Sequence, residues 1–304
     1  MKPLPLNRFS ILPLCAVLAS GCMARTIHPQ TDAASITHPT TMDYADWGAV
    51  LGQACSGGRV DYDRLLDDPR PLDRFLARIA SVGPVTTPVE FPSREHRLAY
   101  AINCYNATIL RSILALAGKD GVPSMLPAGL EGRHCFRIDG RLETPQSLYR
   151  RAIALAGEDW RVAMVLCNGH LAGPPLHRRV FLPDLLDGQL TQAAVAALAN
   201  PQVVFVTHGL DKQLQLCRPL FDAREALVRD YRRKTGSMDA TILAALLDVS
   251  DRLRREELNA AVGYEVALLP ENRMVNSVEP PILPEQQSAL SRLGSFTIIR
   301  PSKE

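Results

Sequence analysis

The sequence predicts an α+β fold in which a central buried helix packs on a mainly antiparallel sheet, with further helices around it. Three observations carry that expectation. Helical periodicity dominates the first part of the chain, hairpin-spaced strands follow it, and between them Leu98 to Leu116 is apolar nearly all round. In that stretch Leu98, Ile102, Tyr105, Ile109, Ile113 and Leu116 follow steps of four and three, while Ala99, Ala101, Ala107 and Leu110 occupy the far side. A helix without a charged face belongs inside a domain. Ser93 is placed to cap its start and Gly118 to stop it in a left-handed turn.

The elements then read in order. Residues 1–21 have the form of a signal peptide: Lys2 and Arg8 at the start, an apolar run from Phe9 to Ala19, then Leu18-Ala19-Ser20-Gly21-Cys22. That ending resembles a bacterial lipobox with Cys22 as the acylated first residue, although the best lipoboxes carry Leu where Ala19 stands. Met23 rather than Asp after Cys22 implies, by resemblance to Gram-negative lipoproteins, the outer membrane facing the periplasm. Residues 22–43, rich in Thr, Ser, Pro and His, read as a flexible lipid-anchored tether, and the domain is expected over 44–276. A helix opened by Pro71 carries Leu72, Phe75, Leu76 and Ile79 on one face, and Ser81 to Pro92 is a loop. Asp139-Gly140 between His134–Ile138 and Arg141–Glu143 signals a hairpin, and Thr144-Pro145 starts a helix running to about Ala156. Arg161 to Cys167 reads as a short buried strand. A helix from Pro183 ends near Asn200, strands follow at Val203–Thr207 and Leu214–Cys217, helices at about 221–233 and 238–258, and a strand at Val262–Leu268. Residues 277–304, with three prolines at 280, 281 and 284, read as an appendage.

Charge narrows the partners. The chain has 34 Lys and Arg against 32 Asp and Glu, and cleavage after Gly21 removes Lys2 and Arg8 and no acid. The mature chain is then neutral, with no electrostatic footprint for nucleic acid. Its membrane partner is expected through the anchor at Cys22, with an envelope protein or a small ligand as the further partner. Of seven cysteines, five belong to the mature domain: Cys55, Cys104, Cys135, Cys167 and Cys217. They are scattered, without C-x-x-C, so the core rather than disulfides must hold the fold.

Few residues carry chemistry. Asn103 and Asn106, with Tyr105 between them, are the polar groups of the apolar helix. A buried amide must have its donors and acceptors matched, so the two either satisfy loop backbones or face a cleft, the structural role being the stronger expectation. Cys167 precedes Asn168-Gly169-His170. A thiol there is a nucleophile if His170, His177 or His208 approaches it, and otherwise a small buried hydrophobe. No metal site is expected: His134 and Cys135 point to opposite faces of a strand, and a Gly-Pro-Pro corner separates His170 from His177. No phosphate-binding loop, nucleophile elbow or zinc-protease motif occurs, and no cofactor is expected.

Several segments in order resemble the domain of unknown function 547 family. Val60-Asp61-Tyr62 with Leu65 is similar to its opening, and Ala101-Ile102-Asn103-Cys104-Tyr105-Asn106-Ala107 to its I-N-x-Y-N-A helix. Arg161 to Leu176 aligns without a gap to its R-I-H-F-A-L-N-C-x-x-x-S-C-P-P-L segment. The departures fall on the polar residues. The family's two cysteines fall on Asn168 and Gly173, its His on Ala163, its Glu-His pair near Tyr149 and Arg150, and of its closing motif only Asn276 remains. A Cys, His and Glu set is what a papain- or transglutaminase-like thiol enzyme needs, and the resemblance implies that this chain lacks most of it. The expectation is therefore a non-catalytic binding or scaffold domain on the cell envelope. The alternatives are a thiol hydrolase or acyl transferase using Cys167 with His170 or another His, and a purely structural module.

Overall fold

The computed structural model describes residues 24–29, 40–208 and 211–278, so Cys22, the signal segment and residues 279–304 lie outside it. The architecture is α+β, with ten α-helices and eight short strands among the described residues. In chain order these are β1 (Arg25–Thr26), α1 (Ala45–Ala54), β2 (Cys55–Ser56), β3 (Arg59–Val60), α2 (Tyr62–Asp67), α3 (Arg70–Ser81), α4 (Arg94–Leu114), α5 (Leu130–Arg133), β4 (His134–Ile138) and β5 (Arg141–Glu143). Then come α6 (Pro145–Ala156), α7 (Leu186–Leu198), β6 (Val204–Thr207), β7 (Gln213–Leu216), α8 (Arg218–Thr235), α9 (Ile242–Val249), α10 (Arg252–Asn259) and β8 (Glu265–Leu268).

α4 is the axis. Ser93 Oγ accepts from the His96 amide at its start, and sixteen of its residues are buried. Its neighbours are chiefly α6, α3, α5 and α2, with β4 touching it, so it lies among helices rather than on a broad sheet. Gly118 is not its stop. The helix ends at Ala115 and the chain tightens through Ile113 and Leu114 carbonyls before Gly118 meets Gly121. α3 buries Leu72, Phe75, Leu76 and Ile79 as its spacing dictates. α6 begins with a capping box between Thr144 and Ser147, which satisfies two of the amide donors that every helix start leaves open. The β4–β5 turn has φ of 52° at Asp139 and 76° at Gly140, as a two-residue hairpin turn requires.

The strands form three small sheets, β1-β4-β5, β2-β3 and β6-β7-β8, in place of one mainly antiparallel sheet. β1 runs parallel to β4 and β8 parallel to β7, so both three-stranded sheets are mixed. Four further expectations change. Arg161–Cys167 is not a strand: Trp160–Met164 is a 3-10 turn opened by Asp159, whose carboxylate accepts from the Arg161 amide. An apolar run buried on all sides looks alike in either conformation. The 238–258 helix is two helices, broken where Ser250 is extended and Asp251 caps the second. The segment 22–43 is no free tether where it is described: Arg25–Thr26 pair with His134–Cys135, the Ile27 amide donates to Cys135 O at 2.8 Å, and Ile27 is buried. The domain also runs past Asn276, because Ser277 bridges Val60 and the Val278 amide donates to Val60 O.

Two apolar clusters result. The first surrounds α4 and takes in α1 to α3, α6 and the hairpin. The second joins α7 to α10 with the β6-β7-β8 sheet, and Trp160, Ala163 and Met164 of the 3-10 turn belong to it.

Candidate functional site

The site begins with the two amides of α4. Asn106 Nδ2 donates to Val165 O at 3.0 Å and its Oδ1 accepts from the Cys167 amide at 3.0 Å. Asn103 repeats the arrangement on Phe181, donating to its carbonyl at 2.8 Å and accepting from its amide at 3.2 Å, while Trp47 Nε1 also donates to Asn103 Oδ1. Each side chain thus offers a loop the donor–acceptor pair that a neighbouring strand would offer.

The loop that Asn106 holds continues into Gly169, whose φ is +78°. A Cβ there would lie 2.4 Å from Ile113 Cδ1, so both conformation and space demand glycine. Residues 271–278 then cross the loop as a strap. Leu171 donates to Met274 O, the Asn276 amide to Gly169 O, and the Val60 amide to Asn276 O. The Asn276 side chain is buried at the centre: Tyr62 Oη donates to its Oδ1 at 2.6 Å, and its Nδ2 donates to Cys167 Sγ at 3.3 Å.

Cys167 therefore sits in the wall rather than in the opening. It is 1% exposed, and burial pushes its thiol up to about 12. A thiol in that state is a poor nucleophile at neutral pH. Its neighbours Leu166 and Asn168 face the other way, into a cavity of about 590 Å³. The three imidazoles do not gather round the sulfur. His170 lines the cavity, His177 lies over a separate groove with its ring against Arg179 O, and His208 stands beside Tyr264. Cys104 is fully buried in α4, and burial raises its thiol further.

The cavity lies where the two apolar clusters meet. Tyr105, Glu131 and Tyr149 form one wall, Asn168 and His170 the second, and Arg218, Asp222 and Leu268–Glu271 the rim. Tyr105 Oη donates to Glu131 Oε1 at 2.6 Å, which fixes the carboxylate, and burial raises the Tyr105 phenol well above its ordinary value. The Tyr105 and Tyr149 rings are 5.8 Å apart, centroid to centroid. Burial lowers the His170 imidazole below 6.5 against the opposing pull of Glu271, whose Oε1 is 4.0 Å from Nδ1. The ring is then neutral near pH 7, a donor and an acceptor at once. The opening offers the fixed Glu131 carboxylate, the amides of Asn168 and Gln146, a neutral imidazole and the Tyr149 phenol, with the buried Tyr105 behind them. That set orients a polar ligand. Among the described residues no group of three or more His, Cys, Asp or Glu is arranged to hold a metal ion.

The two positions where the family resemblance expects cysteines are in contact. A Cβ at Gly173 would lie 2.2 Å from Asn168 Oδ1 and 3.0 Å from its Cγ. Asn168 uses the vacated space, its Oδ1 accepting from the His170 amide at 3.1 Å. Sequence reasoning missed Glu131 and the 268–271 rim, since they come from segments far apart. The one available signal was Tyr105, a phenol on a buried face that needs an acceptor.

No protein-family model, curated protein or solved structure matches this chain.

Proposed function

We propose that this chain is a lipid-anchored protein of the cell envelope, a divergent relative of the domain of unknown function 547 family that binds rather than catalyses. The anchor is the diacylated and N-acylated Cys22, and the 590 Å³ cavity beside α4 receives a polar ligand or the side chains of an envelope protein. One observation carries the non-catalytic reading. Cys167 is turned into the wall and hydrogen-bonded to Asn276, with Asn168 taking its place on the cavity side, and Cys217, the cysteine that lines the cavity, is 1% exposed with its thiol pushed up to about 11 by burial. A thiol hydrolase needs an exposed, depressed thiol beside its base, and both sulfurs are buried and raised.

Iodoacetamide at neutral pH, read residue by residue by mass spectrometry, tests it. Cys135, the half-buried thiol, is expected to react first, with Cys167 and Cys104 equally protected until the protein unfolds. Cys167 labelling ahead of both would restore the thiol enzyme. A photo-crosslinking residue at Gln146, on the exposed lip of the cavity, is expected to capture a partner in intact cells; a clean lane would favour the purely structural module.

A further inference from the structure

The strand β1 fixes how such a protein would stand on its membrane, an inference that rests on the acylation of Cys22. Arg25 is three residues from Cys22 and is already paired with His134 in the sheet. Three residues of extended chain span at most about 11 Å. Acylation of Cys22 would therefore keep the Arg25 edge of the β1-β4-β5 sheet within that reach of the headgroups, where a tether of some twenty residues would have let the domain hang free. Arg137 and Leu142 are paired on the outward face of the sheet, and Arg25 and Arg141, paired with buried His134 and Ile138, are exposed on its two edge strands; none of the four is an acid. Glu143, the one carboxylate in the strands, is held by Arg151 and Ser147. Arg133, also exposed, immediately precedes β4. A neutral mature chain has gathered net positive charge at its point of attachment. Arginines within a Debye length of an anionic surface attract it, and a leucine beside them can enter the interface.

We infer that the β1-β4-β5 sheet is a membrane-docking surface, with the anionic face of the anchoring bilayer as its occupant. Docking presses β1 against the lipid and leaves the second apolar cluster to face the aqueous compartment.

The test uses the full-length acylated protein in vesicles that contain phosphatidylglycerol and a lipid with a nitroxide headgroup. A fluorophore is attached at Leu142→Cys or, for comparison, at Leu253→Cys on α10, each in a Cys135→Ser background. Both positions are exposed, at 59% and 79%, so neither change disturbs the core. The expected result is loss of fluorescence at 142 and none at 253. Equal quenching at both sites, or none at either while the protein floats with the vesicles, overturns the docking surface and leaves the anchor intact. A mature protein without acyl mass on Cys22 overturns both. Combining Arg25→Gln, Arg137→Gln and Arg141→Gln is expected to reduce quenching at 142; unchanged quenching would overturn the part given to the arginines.

Discussion

The two apolar clusters solve the same problem by different means. Around β6, β7 and β8 the backbone is satisfied by strand pairing, and one buried cation, Arg254, closes the remaining gap by donating to Leu198 O and Val204 O. Around α4 the backbone at 165–167 and at Phe181 is met by side chains instead of a strand. Side-chain amides stand in, Asn103 for Phe181 and Asn106 for Val165 and Cys167, while the Asn276 amide ties the side chains of Tyr62 and Cys167 together. The comparison teaches that an apolar helix can serve as a sheet edge when it carries amides at the right depth. It also explains why those residues sit in a core at all, where an unmatched amide is costly.

The comparison is broken most severely by Asn106→Leu. The side chain keeps its size, but Val165 O and the Cys167 amide lose their partner inside the core. A loss of about 2–5 kcal/mol is expected, measured by denaturant unfolding, with hydrogen exchange rising first over 165–171. A loss below about 0.5 kcal/mol would mean that the loop finds other partners. Arg254→Met is the equivalent break in the second cluster. It strips two carbonyls and is expected to cost about 2–3 kcal/mol, with exchange rising in β6 and not at the α4 loops. If both variants loosen both regions alike, the two clusters are one cooperative unit.

A covalent link sharpens the picture. Asn168→Cys with Gly173→Cys places two sulfurs where the Cβ geometry allows a bond, and mild oxidation is expected to consume both introduced thiols. Closing so short a loop should add about 2 kcal/mol. Thiols that stay free would show that the turn differs from the one described. The smallest effect is in pH. Burial holds His170 and His134 below the ordinary imidazole value of 6.5. The unfolded chain therefore binds more protons as pH falls through that value, so stability is full above it and declines below. Melting temperatures from pH 7.5 to 5.5 should show the decline, and His170→Asn should make it shallower.

Much of the fold was legible because its signals are local. Ser93, Thr144-Pro145 and Asp139-Gly140 each act within four residues, and the spacing of Leu72, Phe75, Leu76 and Ile79 needs only a helix to have meaning. Arg161–Cys167 was misread because its backbone partner is a side chain sixty residues earlier, and no propensity records that. β1 was missed because two residues have no period. The cavity was less legible still. Tyr105, Asn168 and His170 stood out as residues, but their grouping with Glu131, Tyr149 and Glu271 is made by packing between elements that share no local pattern.

The strap has a consequence in time. Tyr62 and Asn276 are 214 residues apart in the chain, and Val60 is held by both Asn276 and Val278. Synthesis proceeds at about 5–20 residues per second, so the chain waits on the order of ten seconds or longer between making the first of these groups and the last. Through that interval the α4 cluster lacks its final latch, and closing so long a loop slows its completion further. A nascent chain of this design stays unfinished until nearly all of it has emerged, the condition in which a polypeptide bound for another compartment can still be threaded across a membrane.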